Sequence, residues 1–154
     1  MMQSGKEFEL RPIGAADLEA VAEIESLCFA EPWSAGALEF LLSDAAMGVV
    51  AICDGRIAAY CGMALAPDEG QITNVAVHPD FRRRGLGRAI LLYLKEEARA
   101  RGLLQIALEV RVSNEAAIAL YESEKFYVAG QRKNFYRNPT EDALVMLWDA
   151  SDRK

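Results

Sequence analysis

Two stretches carry side chains whose types and spacing allow chemistry. In the first, Arg82-Arg83-Arg84-Gly85-Leu86-Gly87-Arg88 joins an apolar, β-branched run at 72–77 to a run with helical periodicity. Leu86, Ile90, Leu94 and Ala98 recur on one face of the latter, which predicts a helix from near Gly85 to Arg101. His78-Pro79-Asp80 ends the strand before it, since proline lacks an N–H and pushes its neighbour out of helical geometry. Glycines at 85 and 87 let the backbone come close to an anion, and the first N–H groups of a helix have no partners within it. The helix dipole and the arginines add positive potential at the same place. This is the chemistry of a diphosphate cradle, although a solvated basic turn capping an ordinary helix has the same residues. No Gly-Lys-Ser/Thr follows, so the loop is not a P-loop, and it lacks the G-x-G-x-x-G of dinucleotide folds.

The second stretch is 104–121. Leu104, Ile106, Leu108, Val110 and Val112 alternate with Gln105, Ala107, Glu109 and Arg111, which predicts a strand. A strand inside a mixed sheet is normally buried on both faces, so Glu109 and Arg111 there would mark a water-filled cleft. On a strand near a sheet edge the same two residues would be a surface salt bridge. Ser113-Asn114 suits a helix cap, and Tyr121, on the helix predicted over 115–124, suits core packing with its hydroxyl at the rim. The lone histidine, His78, reads as a turn residue beside proline, with no catalytic role.

The elements that must position these residues follow in order. Phe8, Leu10 and Pro12 alternate within 7–13, an edge strand that tolerates proline. A helix is expected over 17–28, then a break at Glu31-Pro32-Trp33-Ser34, with Ser34 capping a second helix over 35–43. Trp33 is either a substrate contact or a staple between the helix pair and the core. Strands at 47–53 and 56–65 flank Asp54-Gly55, a hairpin signal, and 66–70 is a turn into the 72–77 strand. Gly102 stops the long helix. Strands at 126–136 and 143–148, joined by the polar loop 137–142, close the chain. The order β-α-α-β-β-β-α-β-α-β-β predicts a single domain of α/β (mixed α+β) class, its mixed, mostly antiparallel sheet of about seven strands carrying helices on both faces.

Composition sets bounds. The 154 residues suffice for one domain with a proper core, 52% hydrophobic and 26% charged as in a soluble protein. No apolar run approaches the ~20 residues that cross a bilayer, and the N-terminal stretch has no apolar signal core, so a cytoplasmic protein is expected. Cys28, Cys53 and Cys61 lack metal-site spacing and are expected as buried free thiols. A net charge of −6 argues against general nucleic-acid binding despite the arginine run.

Arg82-x-x-Gly85-x-Gly87-x-Ala89 after a strand resembles the pyrophosphate loop of the GCN5-related N-acetyltransferases (GNAT superfamily). Leu108-Glu109-Val110-Arg111, Ser113-Asn114 and Ala117-Ile118-Ala119-Leu120-Tyr121-Glu122-Ser123 resemble the ribosomal-protein-alanine N-acetyltransferases, the RimI type within it. Glu31-Pro32-Trp33-Ser34, Arg132-Lys133-Asn134-Phe135-Tyr136 and Glu141-Asp142-Ala143 add to the likeness, which runs from about Leu10 to Trp148. It implies acetyl-CoA as co-substrate, with Arg83, Arg84, Gly85, Leu86, Gly87 and Arg88 on its diphosphate. It implies further that Val75, Ala76 and Val77 pair with the pantetheine arm and that Asn114 contacts the coenzyme. Glu109 matches the general base and Tyr121 the general acid. One departure is Glu124-Lys125, where Leu-Gly is usual, so that a non-glycine residue must bear any left-handed geometry at that helix end.

The expected reaction is direct attack of a neutral amine on the thioester, with no metal and no covalent enzyme intermediate. Glu109 would take the amine's proton through a water, a backbone N–H of 75–77 would hold the oxyanion, and Tyr121 would protonate the thiolate. Neutralising an α-amine of pKa ~8 at pH 7 costs about 1.4 kcal/mol, against about 4.6 for a lysine near 10.4. These costs favour an α-amine, and the resemblance implies a protein N-terminus starting with alanine as acceptor, ribosomal protein S18 where the subfamily likeness holds. A small-molecule amine or a lysine side chain is the alternative acceptor. A non-catalytic acyl-CoA-binding module fits less well because Glu109 and Tyr121 are both present.

Overall fold

The computed structural model describes residues 8–151. Glu7 and the N-terminal residues before it, over which the first strand and the missing signal core were read, lie outside that range. The described strands are β1 (Phe8–Pro12), β2 (Ala46–Cys53), β3 (Arg56–Leu65), β4 (Glu69–Val77), β5 (Gln105–Arg111), β6 (Tyr127–Tyr136) and β7 (Glu141–Asp149). The helices are α1 (Leu18–Cys28), α2 (Ala35–Leu38), α3 (Leu86–Ala100) and α4 (Glu115–Ser123). The strands form one sheet in the order β1-β2-β3-β4-β5-β7-β6. The pairs β1–β2, β2–β3, β5–β7 and β6–β7 are antiparallel, whereas β4 and β5 run parallel from Glu69↔Gln105 to Gln71↔Ala107. This is the mixed, mostly antiparallel sheet that the element order predicts, with β1 at its edge as Pro12 requires.

Some boundaries shift. The second helix is α-helical only to Leu38 and tightens to a 3-10 turn over Glu39–Leu42. The strand expected from 72 starts at Glu69, and the loop at 137–142 is shorter because β7 already begins at Glu141. Ser34 caps α2 as its type dictates, its hydroxyl accepting from Ala37 N–H at 3.1 Å. Asp54 and Gly55 both have positive φ, 54° and 75°, as a primed hairpin turn demands.

The chain forms two compact units, one of residues up to Ala64 with Thr73–Tyr93, the other of Leu65–Ile72 with residues from Leu94 on. In the first, Leu18, Val21 and Ile24 of α1 and Leu38 and Leu41 are buried with Val50, Tyr60 and Ala76 of the sheet. Gly48 and Gly62 face each other in the β2–β3 register. A Cβ on Gly62 would lie 2.8 Å from Leu41, and one on Gly48 would lie 2.7 Å from Ile13. The paired glycines make the hollow that those two side chains fill. In the second unit, Ile106 and Leu108 of β5, Met146 and Trp148 of β7 and Leu94 of α3 are fully buried.

The helix end at Glu124-Lys125 answers the question its sequence raises. Lys125 carries the left-handed geometry itself, at φ 74°. Glu124 turns inward to Lys95 of α3, whose ammonium reaches its carboxylate at 3.2 Å, also donates to its backbone carbonyl, and sits 5.3 Å from the Trp148 ring centroid. Both side chains are nearly buried, 8% and 13% exposed.

Candidate active site

The arginine loop belongs to the first unit. Arg83, Arg84, Gly85 and Arg88 are exposed, Gly87 is half-buried, and Leu86 is buried as the first residue of α3. Arg83 and Gly85 both have positive φ, 67° and 79°, so the loop winds tightly before the helix. A Cβ on Gly85 would meet nothing within 4 Å, so the backbone there faces open space. The loop is braced from below. Arg82 donates to the Val77 carbonyl at 3.2 Å, and Arg84 lies over the Phe81 ring, which is buried. His78 is the turn residue its neighbours imply, its Nδ1 accepting from Asp80 N–H at 3.0 Å.

Val75, Ala76 and Val77 form the end of β4, in the same unit, with Ala76 buried and the other two half-buried. Just before them, Asn74 donates at 2.7 Å to Glu25, a carboxylate wholly buried on α1. Glu25 also accepts from the Tyr60 hydroxyl and, at 2.9 Å, from the N–H of Trp33. Burial first, then the hydrogen bond to Glu25, pushes the Tyr60 hydroxyl far up from its ordinary value. Trp33 is half-buried against the same core, which is the staple reading of that residue.

The thiols correct one expectation. Cys53 and Cys61 are buried and free, but Cys28 is only half-buried. Its Sγ lies 3.5 Å from the Val77 carbonyl and 3.5 Å from Arg82, because Phe29 leaves the helix in extended geometry and α1 ends there.

Glu109, Asn114 and Tyr121 belong to the second unit. β5 is an interior strand, with β4 on one side and β7 on the other, so the edge-strand reading does not hold. The surface salt bridge does not form either, because each of the two residues has a partner elsewhere. Glu109 accepts from Gln71 of β4 at 3.2 Å on one oxygen and from Arg132 of β6 at 3.1 Å on the other. Its side chain is 19% exposed, and each oxygen keeps a lone pair for a further donor. Arg111 instead reaches Glu141, at 3.1 Å. Asn114 caps α4, accepting from Ala117 N–H at 3.2 Å, and is exposed. Tyr121 is 7% exposed and tilted against Phe126 at 5.8 Å between ring centroids.

Three residues enter to which the sequence assigns no role, namely Gln71 and, from the segment that adds to the family likeness, Arg132 and Tyr136. Tyr136, at the end of β6, is half-buried, and burial first and then the Glu109 charge pushes its hydroxyl up to about 12. A polar side chain on a strand gains such a role only through the register of its neighbours, and β6 and β4 reach Glu109 from distant parts of the chain.

The family model for the acetyltransferase (GNAT) family matches residues 18–126. The chain is 41% identical over 138 residues to the [ribosomal protein bS18]-alanine N-acetyltransferase of Salmonella typhimurium, covering 87% of this chain and 92% of that one. Against the protein of the same name from Escherichia coli strain K12 it is 41% identical over 134 residues, covering 84% and 89%. The crystal structure of the ribosomal-protein-S18-alanine N-acetyltransferase from Escherichia coli superposes with a TM-score of 0.88, at 36% identity and 96% coverage of both chains. The chain belongs to the GNAT acetyltransferase family.

Proposed function

We propose that this member of the GNAT acetyltransferase family is an N-terminal protein acetyltransferase that acetylates the α-amine of an alanine-starting protein, ribosomal protein S18 being the favoured acceptor. The names of its relatives at 41% identity support this reading, as does the match of nearly the whole chain to them. The observation that carries it is Glu109, a mostly buried carboxylate on an interior strand that is tethered on both oxygens and can still accept another hydrogen bond. Among the described residues no helix is long and apolar enough to cross a membrane. An acceptor of ribosomal origin makes the cytoplasm the expected place of action.

Acetyl-CoA would supply the activated acetyl group as a thioester. The residues fit it on an observation independent of any relative: exposed arginines, an open backbone at Gly85 and a helix start converge on one loop. In this reading Arg83, Arg84, Gly85, Leu86, Gly87 and Arg88 hold the diphosphate, while Val75, Ala76 and Val77 offer backbone groups to the pantetheine arm. Asn114 contacts the coenzyme in addition to capping α4. Glu109 takes the proton of the attacking amine, directly or through one water, and a backbone N–H at 75–77 holds negative charge on the carbonyl oxygen. Tyr121 gives its hydroxyl proton to the leaving thiolate, its ordinary pKa near 10 being close to that of a thiol.

The test is acetyl transfer from acetyl-CoA to peptides that differ only at the N-terminus, read by mass spectrometry. Peptides starting with alanine are expected to react fastest. Faster modification of an internal lysine in an N-terminally blocked peptide would defeat the reading.

A further inference from the structure

We propose that Arg111 is a positioning residue for the acceptor: it fixes the turn between β6 and β7 as one wall of the space in front of Glu109. The proposal rests on the acetyltransferase reading above and adds to it a determinant of acceptor binding. One guanidinium meets the turn at four places. Its Nη1 donates to the Pro139 carbonyl at 2.9 Å and to the Glu141 carboxylate at 3.1 Å. Its Nη2 donates to the Arg137 carbonyl at 2.8 Å, and its plane lies over the Tyr136 ring, 4.5 Å from the centroid. The other Glu141 oxygen accepts from the Ser113 N–H at 2.7 Å, so the end of β5 holds the turn from two sides. Hydrogen bonding from Ser113 first, and then from Arg111, keeps the Glu141 carboxyl below its usual range.

The hairpin is also tied across its two strands, where Asp142 accepts from the Asn134 N–H at 2.8 Å and from Gln131 at 2.7 Å. Tyr127 to Phe135 of β6 are exposed, and so are 137–140, so polar groups do most of the holding at this end of the hairpin. Its contacts are polar and converge on a planar fork of donors, a geometry an ammonium cannot reproduce. The same hairpin touches the proposed base. Arg132 of β6 binds Glu109, and the Tyr136 hydroxyl feels the Glu109 charge. Glu109 and Arg111 sit two residues apart on one strand, and so on one face of it. An amine approaching Glu109 therefore meets the turn that Arg111 holds. A shift of that turn changes how the acceptor's first residues are seated.

The test compares wild type with Arg111→Lys, Arg111→Ala and Glu141→Gln, using whichever peptide of the N-terminal panel wild type acetylates best. Both Arg111 variants should raise the acceptor KM by about tenfold or more, the scale of a lost set of charge-assisted hydrogen bonds. They should change kcat less and leave the calorimetric Kd for acetyl-CoA at its wild-type value. Selectivity among N-terminal residues should narrow. Amide exchange at 136–141, measured by mass spectrometry without any acceptor, should quicken in Arg111→Ala and less in Glu141→Gln. If Arg111→Ala does not fold, Arg111→Lys and Glu141→Gln carry both readouts. Folded Arg111 variants with an acceptor KM within twofold of wild type, or with unchanged exchange at 136–141, overturn the proposal. A wild type that prefers a lysine overturns the N-terminal reading alone, since KM is then measured on that acceptor.

Discussion

Replacing Glu124 by leucine, the residue usual in the resembling family, should destabilise this chain. The reason is Lys95. Its ammonium is almost buried on α3, and its partners are the Glu124 carboxylate at 3.2 Å, the Glu124 backbone carbonyl and the face of Trp148. Removing one partner of a buried ion pair costs roughly 3–5 kcal/mol, because a charge is left without compensation. Here the backbone carbonyl remains, and a hydrogen bond to a charged group is worth about 1.5–3 kcal/mol, so the loss falls below the range for an uncompensated charge, at about 2–3 kcal/mol. Against a total stability of roughly 5–15 kcal/mol that is a large fraction. At about 2–4 °C per kcal/mol for a chain of this size, Tm should fall by about 4–12 °C. Circular dichroism melts and urea titrations of Glu124→Leu, Lys95→Met and the double variant measure this. The double variant should recover most of the loss, since an apolar pair can replace a buried ionic one. A single Glu124→Leu variant within about 0.5 kcal/mol of wild type would show that the carboxylate does not compensate Lys95, and the reasoning would fail.

Glu109→Gln should lower kcat by about 10²-fold or more with coenzyme affinity unchanged, and Tyr121→Phe should lower it while keeping the ring's packing against Phe126. Steady-state kinetics over pH 6–9 check both, and wild-type rates in the two variants would leave positioning alone to explain turnover. Gly87→Trp should abolish coenzyme binding in a folded protein, and calorimetry finding unchanged affinity would remove the arginine loop from the site. Tyr136, pushed up to about 12, keeps its proton where an unfolded tyrosine, near 10, has lost it. Stability present below about pH 10 is therefore lost as pH rises towards 12, and Tyr136→Phe should flatten that fall in urea titrations at high pH. An equally steep fall in the variant would assign it to other groups.

The order of elements was legible because each one is written locally. Alternation gives β5, a 3.6-residue repeat gives α3, Asp54-Gly55 gives the β2–β3 turn, and Ser34 and Asn114 give the caps of α2 and α4. The errors fall where the local signal is silent about tertiary packing. The pattern after Ser34 predicts one helical run to 43, yet it tightens after Leu38, where Leu41 turns into the hollow left by Gly48 and Gly62. Cys28 looked like a core thiol from its apolar neighbours, but it is the last residue of α1 and faces Arg82.

The site was legible to a different depth in its two parts. The arginine loop is contiguous, so glycine spacing and charge describe it without any knowledge of the sheet. Glu109 is not of that kind. Its strand alone slightly favours an edge salt bridge with Arg111 over a cleft carboxylate, and what decides against it is strand order. Once β4 and β7 flank β5, Glu109 takes Gln71 from one neighbour and Arg132 from β6, while Arg111 is released to the β6–β7 turn. The two charges of one short motif thus serve different ends, one toward the amine and one toward the wall beside it. That division follows from which residues lie across the ladder, 23 and 38 positions away for Glu109 and 26 to 30 for Arg111, and no window along the chain contains it.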